Sequence, residues 1–370
     1  MNWLRLMLVF IPLAFVAEFL LHNPLLIFGF SCLALIPLAG LLGEATEELA
    51  IHTGPQIGGL LNATLGNAAE LIIAIVALSQ GRIDLVKASL TGSIIGNLLL
   101  ILGASLLLGG LRHGLQKFNI RTAGVSAAMM TLAIIGLLVP TLFELLREVQ
   151  TNSLDVFDTT VDDPALAAFS LGVAGVLILM YVLSLVFSFT QPEYRMQAGH
   201  GHGDTGEAGS ATPAHTPKWS IPVAGGVLAA ATLGIVFLSE FLVGAVEPVA
   251  EEFGLSEVFI GIIIIPLVGN VAEHIVGVQA AAKNQMDLSL AISLGSSQQI
   301  ALFVAPILVF IGVLLGQQMD LFFNAFEIVI LFLAVLLANL ISLDGESNWL
   351  EGAQLLAVYV IAALGFFFIT

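Results

Sequence analysis

The sequence predicts an all-α integral membrane protein with about 11 transmembrane helices, arranged as two inverted-topology five-helix repeats plus an extra N-terminal helix. Only 10% of the residues are charged and the mean hydropathy is +1.03, as is typical of membrane proteins. The apolar residues form runs long enough to cross a bilayer. In addition, the motif Gly-Asn-x-Ala-Glu occurs twice, at residues 66–70 and 269–273, which indicates an internal repeat.

The composition also excludes several classes of protein. The net charge of -17 results from the small number of Lys and Arg residues, and such a chain is not expected to bind nucleic acid. The single cysteine, Cys32, excludes a disulfide framework and a thiolate metal cluster. No motif of an intramembrane hydrolase is found, so we expect neither an enzyme nor a bound cofactor.

Hydropathy predicts eleven spans, at residues 3–21, 25–43, 55–79, 86–109, 122–142, 165–189, 219–243, 257–281, 288–315, 322–342 and 350–369. We expect the first to be a retained helix because its apolar run is longer than that of a signal peptide. The chain then divides into an N-terminal transmembrane helix, a first five-helix repeat, a cytoplasmic Gly/His-rich linker and a second five-helix repeat, at residues 1–23, 24–190, 191–218 and 219–370.

The two motif copies lie in the third and eighth spans, five spans apart. An odd number of spans per repeat makes the copies enter the membrane from opposite sides, and transporters of this architecture bind their substrate near the midplane. The distribution of positive charges predicts a cytoplasmic N-terminus. Seven lie on the side of the N-terminus and three on the other: Arg5, Arg112, Lys117, Arg121, Arg195, Lys218 and Lys283 against Arg82, Lys87 and Arg147.

Glu70 and Glu273 end the two motif copies and are the central candidates for function. A carboxylate inside a membrane must be protonated, paired with a cation or hydrated, and no Lys or Arg lies in the core of either motif span. If the repeats bring the two carboxylates together, they form a site for a divalent cation such as Ca²⁺. Protons would compete for this site, because a bound ion favours the ionised pair and two adjacent carboxylates without an ion favour a proton.

Ca²⁺ takes about six to eight oxygen ligands, more than two carboxylates supply. The motif spans and the fourth and ninth spans offer further side chains: Asn67, Asn270, Ser93, Asn97, Ser296, Ser297, Gln298 and Gln299. Backbone carbonyls would join them if the motif helices were broken, and the candidate break points are Gly58, Gly59, Gly66, Pro266 and Gly269. Gly92 and Gly96 form a small-xxx-small pattern that permits close helix contact.

Two further sets of residues each allow two interpretations. His274 follows Glu273 and has no counterpart in the first motif, so it is either a proton-coupling residue or a histidine hydrogen-bonded between helices. The second set consists of acidic residues that the repeat relates in pairs. They either line cation entry paths on opposite membrane faces or are solvated helix ends: Glu44 with Glu247 and Glu48 with Glu251.

These motifs resemble the Ca²⁺/H⁺ antiporter family, also called cation/proton exchangers or CAX, within the Ca²⁺:cation antiporter superfamily. The matching stretches lie in both halves, at residues 43–47, 66–72, 92–99, 266–274, 283–287 and 295–300. The resemblance implies an eleven-span fold in which Glu70 and Glu273 are the cation and proton carboxylates, supported by Asn97, Ser296 and Gln299. It also implies gating by sliding of the second and seventh spans. The N-terminal extension of plant members is not found, which favours a cell (inner) membrane over a vacuolar one.

The predicted function is therefore a secondary active antiporter that exchanges cytosolic Ca²⁺ for protons by alternating access. A Na⁺-coupled Ca²⁺ exchanger of the same superfamily is the first alternative, but its motif places Thr-Ser and Pro around the acidic residue. A cation channel is a further alternative and would need a ring of selectivity groups around a pore. The sequence leaves open whether Mn²⁺ is also carried and whether the protein is a homo-oligomer.

Overall fold

The computed structural model describes residues 5–151, 163–191 and 217–368. Within these ranges the chain is almost entirely helical, apart from a short ladder in which β1 (Gln116–Lys117) pairs antiparallel with β2 (Glu346–Ser347). The all-α prediction did not include this ladder, which ties together two loops. Most of the predicted linker, residues 192–216, lies outside the described residues.

Thirteen helices follow one another in the part of the chain that the structure describes. They are α1 (Met7–Leu21), α2 (Pro24–Thr53), α3 (Pro55–Leu65), α4 (Ala68–Ser79), α5 (Ile83–His113), α6 (Ile120–Thr151), α7 (Pro164–Thr190), α8 (Ile221–Phe253), α9 (Glu257–Gly269), α10 (Val271–Ala282), α11 (Met286–Leu315), α12 (Ala325–Ile341) and α13 (Trp349–Phe368).

Local sequence signals set several helix ends. The side chains of Asn23, Asp163, Ser256 and Asn324 accept hydrogen bonds from backbone N–H groups in the first turns of α2, α7, α9 and α12. These are the residue types that cap helix N-termini best. At the other end, Gly254 closes α8 in the left-handed region, at φ 63°, where a glycine carries no steric penalty.

Seven of the described helices are long and apolar enough to cross a membrane, and nine spans result if each of two bent pairs counts as one. The bent pairs are α3 with α4, by 43°, and α9 with α10, by 65°. The prediction of a helical multi-span membrane protein is therefore confirmed. Helices α1 and α12 are apolar but shorter than the other spans.

Both bends fall at the repeated motif. The backbone leaves the helical path at Gly66 and Asn67 in the first pair and at Asn270 in the second. Gly269, a predicted break point like Gly66, is the last residue of α9. The remaining predicted break points lie inside helices: Gly58, Gly59 and Pro266.

Helices α5 and α11 form the centre of the molecule. α5 packs against α9, α10, α12 and α13, and α11 packs against α4, α6 and α7. Each central helix contains a π-helical turn, at Gly96–Ile101 and Ile300–Val304. Such turns are frequent at functional sites. On the periphery, α2 and α8 pack along each other in the most extensive helix–helix contact of the described chain.

Lys87 corrects one prediction, because it is not a loop residue. It lies in α5 with its side chain 1% exposed, and its Nζ donates to Asp320 Oδ1 at 2.8 Å. One turn further along α5, the Thr91 hydroxyl donates to Glu327 Oε2 at 2.7 Å. Lys87 therefore does not count among the loop charges that predict orientation. Together these bonds fasten α5 to the start of α12 through buried polar groups.

Gly92 permits the closest approach of α5 to α9, because a Cβ at this position would collide with the backbone of Ile262. Backbone atoms cannot move aside as a flexible side chain can. We therefore expect Gly92→Ala to force the two helices apart and to reduce stability by about 1–3 kcal/mol. The measurement is the midpoint of thermal unfolding of the detergent-solubilised protein.

The matched control is Gly96→Ala, in the second glycine of the same pattern. A Cβ at Gly96 would meet nothing within 4 Å, so we expect this variant to keep the wild-type midpoint. An equal loss of stability in both variants would contradict a role of Gly92 in close packing.

Candidate cation and proton site

Glu70 and Glu273 lie in the first turns of α4 and α10, directly after the two breaks. Each carboxylate therefore lies beside the free N–H groups of a helix N-terminus inside the membrane-spanning region. Glu70 is buried, at 8% exposure, and a Cβ added to Gly269 would lie 3.5 Å from its Oε1. The fold thus brings Glu70 of the first motif against the backbone of the second, where the two carboxylates interact electrostatically.

The motif asparagines are hydrogen-bonded crosswise between the halves of the chain. Asn67 Oδ1 accepts from Ser296 Oγ at 2.9 Å, and Asn270 Nδ2 donates to Ser93 Oγ at 3.2 Å. The repeat relates Asn67 to Asn270 and Ser93 to Ser296, so the two bonds join equivalent positions, although the asparagine accepts in one and donates in the other. Each asparagine therefore binds the central helix that belongs to the other half.

Asn97 and Gln299 extend the first of these contacts into a chain of side chains. Asn97 Nδ2 donates to Ser296 Oγ at 3.0 Å, and Asn67 Nδ2 donates to Gln299 Oε1. All four residues are at most 5% exposed. In contrast, two other predicted ligands bind outside this chain: Ser297 donates to the Ser293 carbonyl, and Gln298 to the Ser126 carbonyl.

Buried oxygen atoms of this region lack a hydrogen-bond donor among the described residues, and Glu70 Oε2 and Asn270 Oδ1 are among them. Buried oxygen atoms in folded proteins usually accept a hydrogen bond. A carboxylate oxygen and an amide oxygen in this condition are suited to bind a hard cation or, in the case of the carboxylate, a proton.

His274 is buried at 8% exposure and lines a narrow cleft together with Asn270, Ser93 and Tyr359. It lies next to the hydrogen bond between Asn270 and Ser93. This position is compatible with both interpretations of His274, as a proton-coupling residue and as a histidine hydrogen-bonded between helices. Its proton-coupling role stays a prediction.

The predicted acidic pairs are only partly open to solvent. Glu48 is buried, and its Oε2 accepts the backbone N–H groups of Lys218 and Trp219 at 2.8 and 3.0 Å. It therefore holds the chain segment that enters α8. Its partner in the repeat, Glu251, is exposed on α8, and Glu44 is half-buried on α2.

Glu247 is engaged by Arg82 from the loop between α4 and α5. The same guanidinium donates to Glu257 Oε1 at 3.1 Å, which links that loop to α8 and α9. The hydrogen bond that Arg82 donates to Glu247 and the negative charge of Glu257 raise the pKa of Arg82 above its usual value. Glu247 is thus half-exposed but ion-paired, and the sequence analysis did not predict this partner.

The sequence profile matches a known family over both halves of the chain. The model described as Sodium/calcium exchanger protein matches residues 23–190 and 223–368. The chain belongs to the sodium/calcium exchanger protein family.

Relatives of this exchanger are similar over nearly their whole length. A protein of Synechocystis sp. named Ca(2+)/H(+) antiporter is 46% identical, over 98% of this chain and 96% of the relative. A protein of Schizosaccharomyces pombe named vacuolar calcium ion transporter is 39% identical, over 99% and 85%. Among solved structures, native YfkE superposes with a TM-score of 0.81 at 38% identity, covering 99% of this chain and all of YfkE.

One residue next to the candidate site was not identified from the sequence. Tyr181 of α7 is 5% exposed, and its hydroxyl donates to the Ala63 carbonyl at 2.7 Å, just before the first break. It lies on the wall of a cavity of ≈ 380 Å³ between α6, α7 and α11 that reaches Gln299. A tyrosine within an apolar span was the available signal, because a buried tyrosine hydroxyl usually has a hydrogen-bond partner.

Proposed function

We propose that this chain is a secondary active antiporter that exchanges cytosolic Ca²⁺ for protons by alternating access. The observation that carries the proposal is the meeting of the two motif copies, with Glu70 against Gly269 and in electrostatic contact with Glu273. Two carboxylates and the amide oxygen of Asn270 form an oxygen-rich site of the kind that Ca²⁺ prefers. The full-length similarity to a protein named Ca(2+)/H(+) antiporter supports the same function.

Exchange follows from competition at one site. When Ca²⁺ is bound, the positive ion stabilises both carboxylates in their charged form. When the ion leaves, two like charges in a region of low dielectric repel each other, and protons take its place. Glu70 and Glu273 would therefore carry either the cation or the protons, but not both, which couples the two fluxes. Asn67, Asn97, Ser296 and Gln299 would hold the broken helices in register around them.

We further propose eleven spans in two inverted five-helix repeats, at residues 24–190 and 219–370, after an N-terminal helix within residues 1–23. The nine long or bent spans together with the short apolar helices α1 and α12 support the number. Equivalent breaks at Asn67 and Asn270 and the crosswise bonds to serine support the symmetry. In this arrangement α2 and α8 correspond, and their sliding would open the site to each side in turn.

The proposed orientation has a cytoplasmic N-terminus in the cell (inner) membrane, because the loop cations favour that side and the Synechocystis relative is bacterial. The Schizosaccharomyces pombe relative is named a vacuolar calcium ion transporter, and this name favours a vacuolar membrane instead. The same proposal places the linker, residues 191–218, on the cytoplasmic face. It also includes Mn²⁺ as a second substrate and assembly of the chain into a homo-oligomer.

Transport by purified protein in proteoliposomes tests the function. We expect ⁴⁵Ca²⁺ uptake to follow an imposed pH gradient without Na⁺ and to stop when a protonophore collapses the gradient. The apparent KM for Ca²⁺ should rise as the pH on the Ca²⁺ side is lowered, because protons compete for the same carboxylates.

Two other results would point to the alternative functions. Uptake that requires a Na⁺ gradient and ignores the pH gradient would indicate Na⁺-coupled exchange. Uptake that follows the Ca²⁺ gradient and the membrane potential alone, at rates insensitive to pH gradients, would indicate a channel.

A further inference from the structure

The break in the first motif helix leaves the Ala63 carbonyl without its helical hydrogen-bond donor. In a continuous helix it would accept the N–H of Asn67, four residues later. The backbone instead turns at Gly66 and Asn67, and the carbonyl accepts the Tyr181 hydroxyl at 2.7 Å. A donor from a different helix, α7, therefore replaces the backbone donor at the break.

The equivalent carbonyl in the second half is satisfied in another way. Pro266, which the repeat relates to Ala63, accepts both the backbone N–H and the side-chain Nδ2 of Asn270, each at 3.0 Å. The second motif asparagine thus bonds the carbonyl at its own break. At the first break the side-chain donor is Tyr181, and the motif asparagine, Asn67, bonds to α11 with both ends of its amide.

This difference determines what Asn67 can do. Its Nδ2 donates to Gln299 Oε1 while its Oδ1 accepts from Ser296 Oγ, so the amide bridges to α11 with both ends. If the Ala63 carbonyl had no other donor, we expect Asn67 Nδ2 to be divided between it and Gln299, as Asn270 Nδ2 is divided between the Pro266 carbonyl and Ser93 Oγ, because an unsatisfied buried carbonyl costs about 1–3 kcal/mol.

We propose that Tyr181 is a positioning residue for cation binding: by donating to the Ala63 carbonyl it leaves the Asn67 amide bonded to α11 alone, and it occupies one lone pair of a carbonyl at the break. Carbonyls at broken transporter helices are available to bind cations, so a protein donor on one of them changes the ligand set. The inference rests on the proposed Ca²⁺ site and adds a residue from α7, a helix that contributes no motif residue.

The surroundings of Tyr181 fix its hydroxyl in place. Its ring stacks on Phe303 of α11, with centroids 5.0 Å apart and planes 25° apart. The neighbouring Ser184 donates to the Tyr181 backbone carbonyl at 2.7 Å and lines the same cavity, but it has no contact with Ala63 among the bonds described. Removal of the Tyr181 hydroxyl alone therefore leaves the packing of the ring intact.

The test is Tyr181→Phe in the proteoliposome assay, with Ser184→Ala as the matched control that removes a hydroxyl from the same cavity wall. We expect Tyr181→Phe to raise the KM for Ca²⁺ about 3- to 10-fold with little change in maximal rate, as the loss of one ordering hydrogen bond should. Ser184→Ala should keep the wild-type KM. A wild-type KM in Tyr181→Phe would overturn the inference, as would an equal rise in both variants.

A double-mutant cycle with Gln299→Ala identifies the route of the effect. If Tyr181 acts by freeing Asn67 for Gln299, adding Tyr181→Phe to Gln299→Ala should change KM by less than about twofold. A full additional rise in the double variant would overturn the proposed route through Asn67.

Two further measurements distinguish a wrong inference about Tyr181 from a variant that does not fold and from a wrong proposed function. If Tyr181→Phe does not give a monodisperse protein, Phe303→Leu, which keeps the hydroxyl but removes the stacked ring, should raise KM, and a wild-type KM there would overturn the inference. Absence of pH-driven uptake by the wild-type protein would refute the proposed function itself, before any variant is compared.

Discussion

Glu70→Gln is expected to abolish Ca²⁺ uptake driven by a pH gradient, and Glu273→Gln to do the same. Glutamine keeps the size of the side chain but removes the negative charge that binds the ion and the group that binds the proton. Loss of one member of a buried charge pairing costs about 2–5 kcal/mol, so the transport rate at a fixed low Ca²⁺ concentration should fall at least about 30-fold. Initial rates of ⁴⁵Ca²⁺ uptake into proteoliposomes measure this fall.

The matched control for this prediction is Glu251→Gln. Glu251 is also a helical glutamate, but it is exposed on α8 and lies outside the network of buried side chains. We expect this variant to retain most of the wild-type rate, and all three variants to elute as folded protein. Wild-type exchange by folded Glu70→Gln or Glu273→Gln would refute the assignment of the site.

Lys87→Met should cause the largest loss of stability of any substitution considered. The Lys87 ammonium and the Asp320 carboxylate are 2.8 Å apart, with side chains 1% and 8% exposed. Methionine would leave Asp320 buried without its positive partner, which typically costs about 3–5 kcal/mol. The expected result is a markedly lower midpoint of thermal unfolding in detergent, measured at constant lipid and detergent concentration.

The double variant Lys87→Met/Asp320→Leu is the control for the ion pair. Replacement of both charges by apolar groups of similar size removes the uncompensated charge, so much of the lost stability should return. A double variant as unstable as Lys87→Met alone would mean that packing around Phe322, which lies beside the ammonium, and not charge pairing, is responsible for the loss.

Features that repeat in the sequence were the easiest to predict. The duplicated motif indicated the region of both breaks: Gly66 lies at the first bend and Gly269 ends the helix before the second, whereas Gly58, Gly59 and Pro266 lie inside helices. The juxtaposition of Glu70 with the second motif is what the proposed inverted repeats predict, because equivalent helices would then meet at a symmetry axis. The roles assigned to Glu70, Glu273 and the residues around them remain predictions.

Contacts between residues without a repeat partner could not be predicted. Lys87 and Asp320 are 233 positions apart, and the position of Lys87 near the start of a span resembles that of a loop cation. Likewise, Arg82 is related by the repeat to Gln285, so symmetry gives no hint of its ion pairs with Glu247 and Glu257. Such partners depend on how the loops fold back over the helix ends, which hydropathy and periodicity do not encode.

The crosswise hydrogen bonds also set when the site can form during synthesis. Asn67 and Asn97 both bond to Ser296, which lies 229 and 199 positions further along the chain. These bonds can therefore form only after most of the second half has been synthesised. At about 5–20 residues added per second, the first half waits in the bilayer for roughly 10–40 s with these polar side chains lacking their final partners. During that interval the buried amide and hydroxyl groups of the first half lack partners that the second half supplies, so the site is completed only after helices of the second half are inserted.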